Sequence, residues 1–227
     1  MYAERPSQVP HTVVWTGRAD THRQEVRVLP DGCMDLILAR DALYVAGPDT
    51  TAHVTTWLPC TFTGLRFGSG VGPRVIGARA HELRDQLVPL ADLWSAAEVR
   101  HLLERVHDAP DPAGVLESLA ADRLRQAEPA DALAGYAVRL LEQGSRVDQL
   151  ADAVGLSSRQ LYRRSLDAFG YGPKTLARIL RFHRALRLGR AGRAPAEAAA
   201  LSGYADQAHL SREVRSLSGV TFGELMA

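Results

Sequence analysis

Cysteine is nearly absent. Cys33 and Cys60 stand far apart, with no Cys-x-x-Cys or adjacent histidine spacing, which argues against a disulfide scaffold and a structural zinc site. Both are expected to be reduced core thiols. Lysine is scarcer: Lys174 is the one lysine among 27 basic residues, leaving 26 arginines, a bias that reads as genome nucleotide composition and takes weight from any isolated arginine. Long apolar runs are missing as well. None approaches the roughly 18 residues needed to cross a bilayer, and Met1–His11 has neither the basic start nor the apolar stretch of a signal peptide. A cytoplasmic location with no membrane partner is the expectation.

What remains is ordinary for a folded protein. Of 227 residues, 46% are hydrophobic and 23% charged, which excludes disordered and fibrous classes and leaves enough chain for two domains with real cores. The formal net charge of +1 hides an asymmetry: residues 145–227 hold 13 Lys or Arg against 7 Asp or Glu, while residues 1–144 hold 14 against 19. One end suits a polyanion such as double-stranded DNA, and the other does not.

From Thr12 to Gly77, short β-rich runs alternate with turn residues. The runs are Thr12–Thr16, Glu25–Leu29, Met34–Leu38, Leu43–Ala46, Val54–Leu58, Phe62–Phe67 and Val71–Ile76. No helical segment separates them, which predicts an antiparallel sandwich or small barrel, cupin-like in outline, over residues 1–95. Leu83, Leu87, Leu90 and Leu93 with Trp94 then fall at helical spacing, interrupted by Pro89. Amphipathic helices are expected at Ala96–His107, Ala113–Gln126 and, after Pro129, Asp131–Gln143, closed by Gly144. Residues 96–144 are therefore read as a helical linker layer or dimer surface.

The C-terminal part, residues 145–227, carries the chemistry. Val147, Leu150, Ala151 and Val154 share one helical face, Gly155 marks a sharp turn, and Ser157 is placed to cap a second helix, Ser158–Phe169. That helix turns Leu161 inward and Arg159, Tyr162 and Arg163 outward near its start, as a major-groove reader requires. About fifty residues on the pattern recurs: Pro195–Gly203 forms a small-residue helix, Tyr204-Ala205-Asp206 a turn, and Gln207–Ser218 a second helix with Leu210 inside. Duplication says more than either copy alone. Between the copies, Gly172-Pro173 opens a helix running to Leu188. Its apolar side is Leu176, Ile179, Leu180, Leu186 and Leu188, and its basic side Lys174, Arg178, Arg181, Arg184 and Arg187. Such a rod is about 25 Å long and could hold two reading helices in successive major-groove segments. Lys174 is a candidate phosphate contact.

These residues resemble the DNA-binding domain of the AraC/XylS family of transcription regulators. The likeness rests on Leu150-Ala-x(3)-Gly155-Leu-Ser157, on Gly172-Pro173 with its long helix, and on Gly203-Tyr-Ala-Asp-Gln-Ala-His-Leu-Ser-Arg212 followed by Gly219-Val-Thr-Phe222. It implies an all-α domain with two helix-turn-helix units. By this resemblance Arg159, Tyr162 and Arg163 face bases in the first unit, and Gln207, Ala208, His209, Ser211 and Arg212 in the second. Arginine can pair with guanine and glutamine with adenine in bidentate fashion, and a short alanine can touch a thymine methyl. Where the family usually has an aromatic residue four places after the inward leucine, this chain has Ser165 and Val214, so repacking with Leu166, Phe169 and Leu217 is expected. Phe222 replaces the usual proline. The resemblance also implies an effector-binding or dimerisation role for the β-rich part, hence an unknown small-molecule effector, a homodimer, and RNA polymerase as partner of an activator.

The other residues point elsewhere only weakly. His11, His22, His53 and His81 form no His-x-His pair or carboxylate cluster, so neither a metal nor another cofactor is expected, and a metal-dependent barrel enzyme is the lesser alternative. The chain is expected not to be an enzyme. A redox or electrophile sensor built on Cys33 or Cys60 is a third reading. The Pro30–Ile37 stretch reads as a tight turn feeding a strand, with Asp31 and Asp35 able to face a cavity mouth. Trp15, Trp57, Tyr44, Phe62 and Phe67 could line an apolar pocket.

Overall fold

The computed structural model describes residues 2–19, 24–57, 59–128 and 132–227. His22, Leu58, Pro129 and Asp131 lie outside the described residues. The fold is α+β, a β-rich part followed by an all-α part. Strand β1 is Tyr2–Pro6, β2 Thr12–Ala19, β3 Gln24–Val28, β4 Met34–Ala39, β5 Ala42–Ala46, β6 His53–Trp57, β7 Cys60–Phe67 and β8 Leu87–Pro89. Six of them form an antiparallel sheet in the order β1-β2-β7-β4-β5-β8, and β3 pairs with β6 as a separate ribbon.

Alternation decides which face is core. Along β4, Met34, Leu36 and Leu38 are buried and join Leu65 and Phe67 of β7, Val14 of β2, and Leu43 and Val45 of β5, with Leu36 opposite both Leu65 and Val45. Helices α2, Ala96–Asp108, and α3, Pro112–Gln126, cover this face through Leu102, Val106 and Leu116. The opposite face carries Trp15, Asp35, Phe62 and Arg66. The Trp15 indole donates to Asp35 at 2.5 Å, and the Arg66 guanidinium lies 3.4 Å from both Asp31 and Asp35. Trp15 lies over Gly64 and Trp57 over Gly17, where a Cβ would approach the indoles to under 3 Å. The five aromatics read as one pocket therefore separate: Trp15 stacks on Trp57, which meets Phe62 at a tilt on the ribbon side, while Phe67 is fully buried on the helix side. The period of two sends odd and even positions to opposite faces.

Two expectations fail in the stretch after β7. Val71–Ile76 is no strand: Gly72–Ile76 forms a short helix, α1, with Pro73 in its first turn and Gly77 in the left-handed region at its end. Residues 83–94 form no continuous helix either. They hold only the short β8 and a 3-10 turn at Leu90–Asp92, after a 3-10 turn at Ala80–Glu82, because Asp85 has φ of 58° and Pro89 denies a helical hydrogen bond. Leu83, Leu90 and Trp94 are nonetheless buried, packed as loop residues.

A second core gathers seven helices. They are α4 (Ala132–Glu142), α5 (Val147–Ala153), α6 (Ser158–Phe169), α7 (Pro173–Arg190), α8 (Pro195–Ser202), α9 (Gln207–Ser218) and α10 (Phe222–Met226). At its centre are Leu176, Ile179, Phe182, Ala185 and Leu186 of α7, each wholly or almost wholly buried. The segment 96–144 thus serves both cores, since α2 and α3 pack on the sheet while Ala137 and Leu141 of α4 enter the helical core.

The β-rich part grips this second core at several points. The amide of Ala52 donates to Leu217 O at 2.7 Å and Arg27 donates to Ser218 O at 2.9 Å, both at the tail of α9. At the tail of α6, Arg84 donates to Gly170 O at 3.3 Å, and Arg79 and His81 flank Asp167. Gly32, with φ of 79°, brings its backbone against Tyr171 and Leu176, and His183 Nε2 lies 2.7 Å from Pro30 O. The Pro30–Cys33 turn is thereby a docking point between the two parts.

Candidate nucleic-acid interface

Each reading helix starts at a built cap. The hydroxyl of Ser157 accepts from Gln160 N at 3.3 Å, and the Gln160 side chain accepts from Ser157 N at 3.0 Å, so α6 opens on a capping box. Asp206 does the same work alone for α9, accepting from His209 N at 2.6 Å. The turns before them use Gly155 and Gly203, with φ of 63° and 82°. No atom crowds either position, so backbone conformation and not space demands glycine there.

Burial then selects which side chains face outward. In α6, Leu161, Ser165 and Phe169 point into the core; in α9, Leu210, Val214 and Leu217 do. Phe169 and Leu217 are buried members of this core, whereas Leu166 stays half-buried outside it. Arg159 and Arg163 are exposed, as are Gln207, Ala208, Ser211 and Arg212. Tyr162 is 53% exposed, yet one ring edge rests on Gly172, where a Cβ would come within 2.5 Å. His209 behaves differently. It is half-buried, its Nδ1 accepts from Ala205 N at 3.4 Å, and its ring meets Tyr204 edge-on at 5.2 Å. Ser211 donates its hydroxyl to Gln207 O at 2.9 Å, keeping its lone pairs available.

A cleft of about 1090 Å³ runs between the units, bounded by the start of α6, by α7 and by the end of α8. Lys174, Arg181 and Arg184 of α7 line it with Tyr162. The basic stripe on α7 is not continuous, however. Arg178 is bound to Glu213 of α9 at 2.9 Å, and Arg187 lines a different hollow. At about 100° per residue, nine positions turn a helix half-way round, which places Arg187 opposite Arg178. Arg146 also lines the cleft, paired with Asp148 at 2.9 Å. It was not singled out from the sequence, and its place before α5 at the mouth of the cleft is legible only in three dimensions.

Comparison with known proteins agrees with this geometry. A family model described as a helix-turn-helix domain matches residues 150–227. Residues 150–227 are an AraC-type helix-turn-helix domain. A second model, described as a domain of unknown function (DUF6597), matches residues 11–89, upstream of the AraC-type domain. No curated protein matches the chain. Among solved structures, ToxT from Vibrio cholerae is similar with a TM-score of 0.51 at 11% identity, over 95% of this chain and 98% of that one. A ToxT structure with bound unsaturated fatty acid, from Vibrio cholerae strain SCE256, gives 0.45 at 10% identity over 95% and 94%. A probable AraC family transcriptional regulator from Rhodopseudomonas palustris gives 0.34 at 24% identity, over 40% of this chain and 94% of that one. The first likeness shows that the β-rich part and the AraC-type domain together follow a ToxT-like fold.

Elsewhere the candidate sites of the lesser readings stay dispersed. Among the described residues no group of three or more His, Cys, Asp or Glu could hold a metal ion, and no helix is long and apolar enough to cross a membrane. Burial, with the nearby Asp31 and Asp35, pushes the Cys33 thiol well above its ordinary pKa, which disfavours the reactive thiolate a redox sensor needs.

Proposed function

We propose that the chain is a sequence-specific transcription regulator controlled by a small molecule, in which α6 and α9 enter successive major-groove segments. The observation that carries this reading is the pair of capped twelve-residue helices, each burying one face in a shared core and exposing polar residues at its start. Arg159, Tyr162 and Arg163 read bases from the first unit; Gln207, Ala208, Ser211 and Arg212 do so from the second, with His209 bracing the turn behind them. Lys174 meets phosphate in the cleft. The sensing part consists of residues 1–95 with α2 and α3 laid on its sheet, and residues 145–227 do the reading. A homodimer is the assembly on DNA, and RNA polymerase is a partner where the regulator activates.

Footprinting on genomic fragments tests this directly. Each protomer is expected to protect two segments about one helical turn apart on one face of the duplex. Lys174→Ala should weaken binding to all sequences alike and flatten the slope of log affinity against log salt by about one unit. A protein that shifts no fragment, or whose salt slope is unchanged by that substitution, does not work this way.

A further inference from the structure

Glycine at position 172 is not explained by backbone conformation. Gly172 is the N-cap of α7, with φ of −68° and ψ of 161°, an extended geometry open to every residue type. Serine would serve the cap at least as well, since its side chain accepts from a free amide of the first turn. The two reading helices use such caps, Ser157 and Asp206, whereas α7 starts with no side-chain cap.

The reason is steric. A Cβ at position 172 would lie 2.5 Å from Cε2 and 2.8 Å from Cδ2 of Tyr162, so one edge of the phenol ring rests on the bare Cα. Tyr162 nevertheless keeps about half of its surface exposed, and both residues line the cleft between the units. The seat thus fixes the direction of a side chain that points out of the protein beside Arg159 and Arg163. Fixing it beforehand lowers the entropy lost when DNA docks. The two arginines suit the hydrogen-bonding edge of guanine. A held aromatic edge suits an apolar mark instead, and in the major groove that mark is the C5 methyl of thymine.

We propose that Gly172 is a positioning residue, which seats the Tyr162 ring so that its free edge reads a thymine methyl in the half-site of the first unit. The seat stands on the geometry alone; the methyl contact rests on the reading of α6 as a groove helix. A residue kept for its function and not for the fold is one whose replacement changes binding while sparing stability.

Two measurements on the full chain separate these steps. The Gly172 Hα resonances should be displaced by the ring current of Tyr162, and Tyr162→Leu should return them towards ordinary glycine values. Resonances that do not respond overturn the seat, whether or not DNA is bound. For the contact, each thymine of the footprint is replaced in turn by uracil, which lacks only the methyl. One replacement, in the half-site that Arg163→Ala relaxes, should weaken wild-type binding about fourfold, as the loss of one methyl group from an apolar contact requires. Tyr162→Phe should keep that sensitivity because the ring does the reading. Gly172→Ala should lose it while melting with the wild type, since the added methyl displaces an exposed ring that is free to swing away. Gly172→Ser, which regains a cap, serves the same purpose should Gly172→Ala melt early. A wild type indifferent to uracil at every position, or a sensitivity that survives both Gly172 variants, overturns the proposal and spares the regulator reading. Sensitivity lost in Tyr162→Phe also overturns it, by assigning the contact to the hydroxyl. A wild type that binds no DNA sinks the regulator reading and the methyl contact together, with the seat still decided by the resonances.

Discussion

The two helix-turn-helix units share a plan and differ in how they are fastened. The second is tied to the central helix by the Arg178–Glu213 pair at 2.9 Å and to the β-rich part through backbone carbonyls, Leu217 O with Ala52 N and Ser218 O with Arg27. The first is held at its tail by close packing of the buried Gly170 on Pro48 and Ala80, by the Arg84 bond to Gly170 O at 3.3 Å, and by partly exposed ion pairs, Asp167 with Arg79 at 3.9 Å and with His81 at 3.5 Å. Exposed pairs of that kind contribute about 0–1 kcal/mol each. The β-rich part therefore holds α9 through two backbone carbonyls at its last turn, and α6 through the packing of Gly170 on Pro48 and Ala80, two different kinds of fastening.

The largest effect comes from removing what the units have in common. Phe182 lies in the core shared by both and has no exposed surface, so Phe182→Ala should destabilise the AraC-type domain by about 3–5 kcal/mol. A urea titration followed by circular dichroism measures it, and a loss under 1 kcal/mol would mean the two units have separate cores.

Next in size is the division of labour on DNA. Arg163→Ala and Arg212→Ala should each weaken specific binding by about 1–3 kcal/mol and relax base preference in different halves of the site that one protomer covers. Loss of preference in the same half for both variants would show that the units do not read side by side.

How much of this was legible in the chain varies with the physics involved. Both reading helices, their caps Ser157 and Asp206, and their inward residues Leu161 and Leu210 follow from local signals: a glycine turn, a capping side chain and a period of 3.6. Six strands are recognisable for the same reason. Val71–Ile76 misleads because its apolar composition suits a strand while Gly72-Pro73 starts a helix, and Leu83–Trp94 because leucines buried in turns can mimic helical spacing. Phe182 was missed on α7 although it is central, since the arginines around it hide the face it belongs to. The docking at Pro30 unites residues more than a hundred positions apart, which no local pattern encodes.

A smaller effect sharpens the comparison at the caps. Ser157→Ala and Asp206→Ala should each cost about 1 kcal/mol. Asp206 is a lone charged acceptor at 2.6 Å while Ser157 shares its task with Gln160, so the loss should be greater in the second unit. Thermal melts of the two variants decide it, and a greater loss at Ser157 would reverse the ranking.

The smallest effect concerns the docking of α7 on the Pro30 turn. Burial pushes the His183 pKa below the ordinary histidine value, with Arg187 and Arg190 acting in the same direction against the carbonyl of Pro30 and the charge of Asp31. The unfolded chain then takes up the proton first as pH falls, so the stability contributed by neutral His183 is present above the ordinary value and is lost as pH drops through it towards the folded pKa. Buried carboxyls work the other way: desolvation lifts Asp35 to about 6 against the pull of Arg66, and such groups favour the folded state on acidification. The net slope of the whole protein therefore hides the histidine, but its difference from His183→Gln does not. Between about pH 8 and pH 5 the melting temperature of the wild type should fall further than that of the variant, whose amide still donates to Pro30 O but cannot take up a proton. Parallel curves for the two proteins would show that this contact does not sense pH, and would leave Arg27, Ala52 and Arg84 as the bonds that hold the β-rich part to the reading helices.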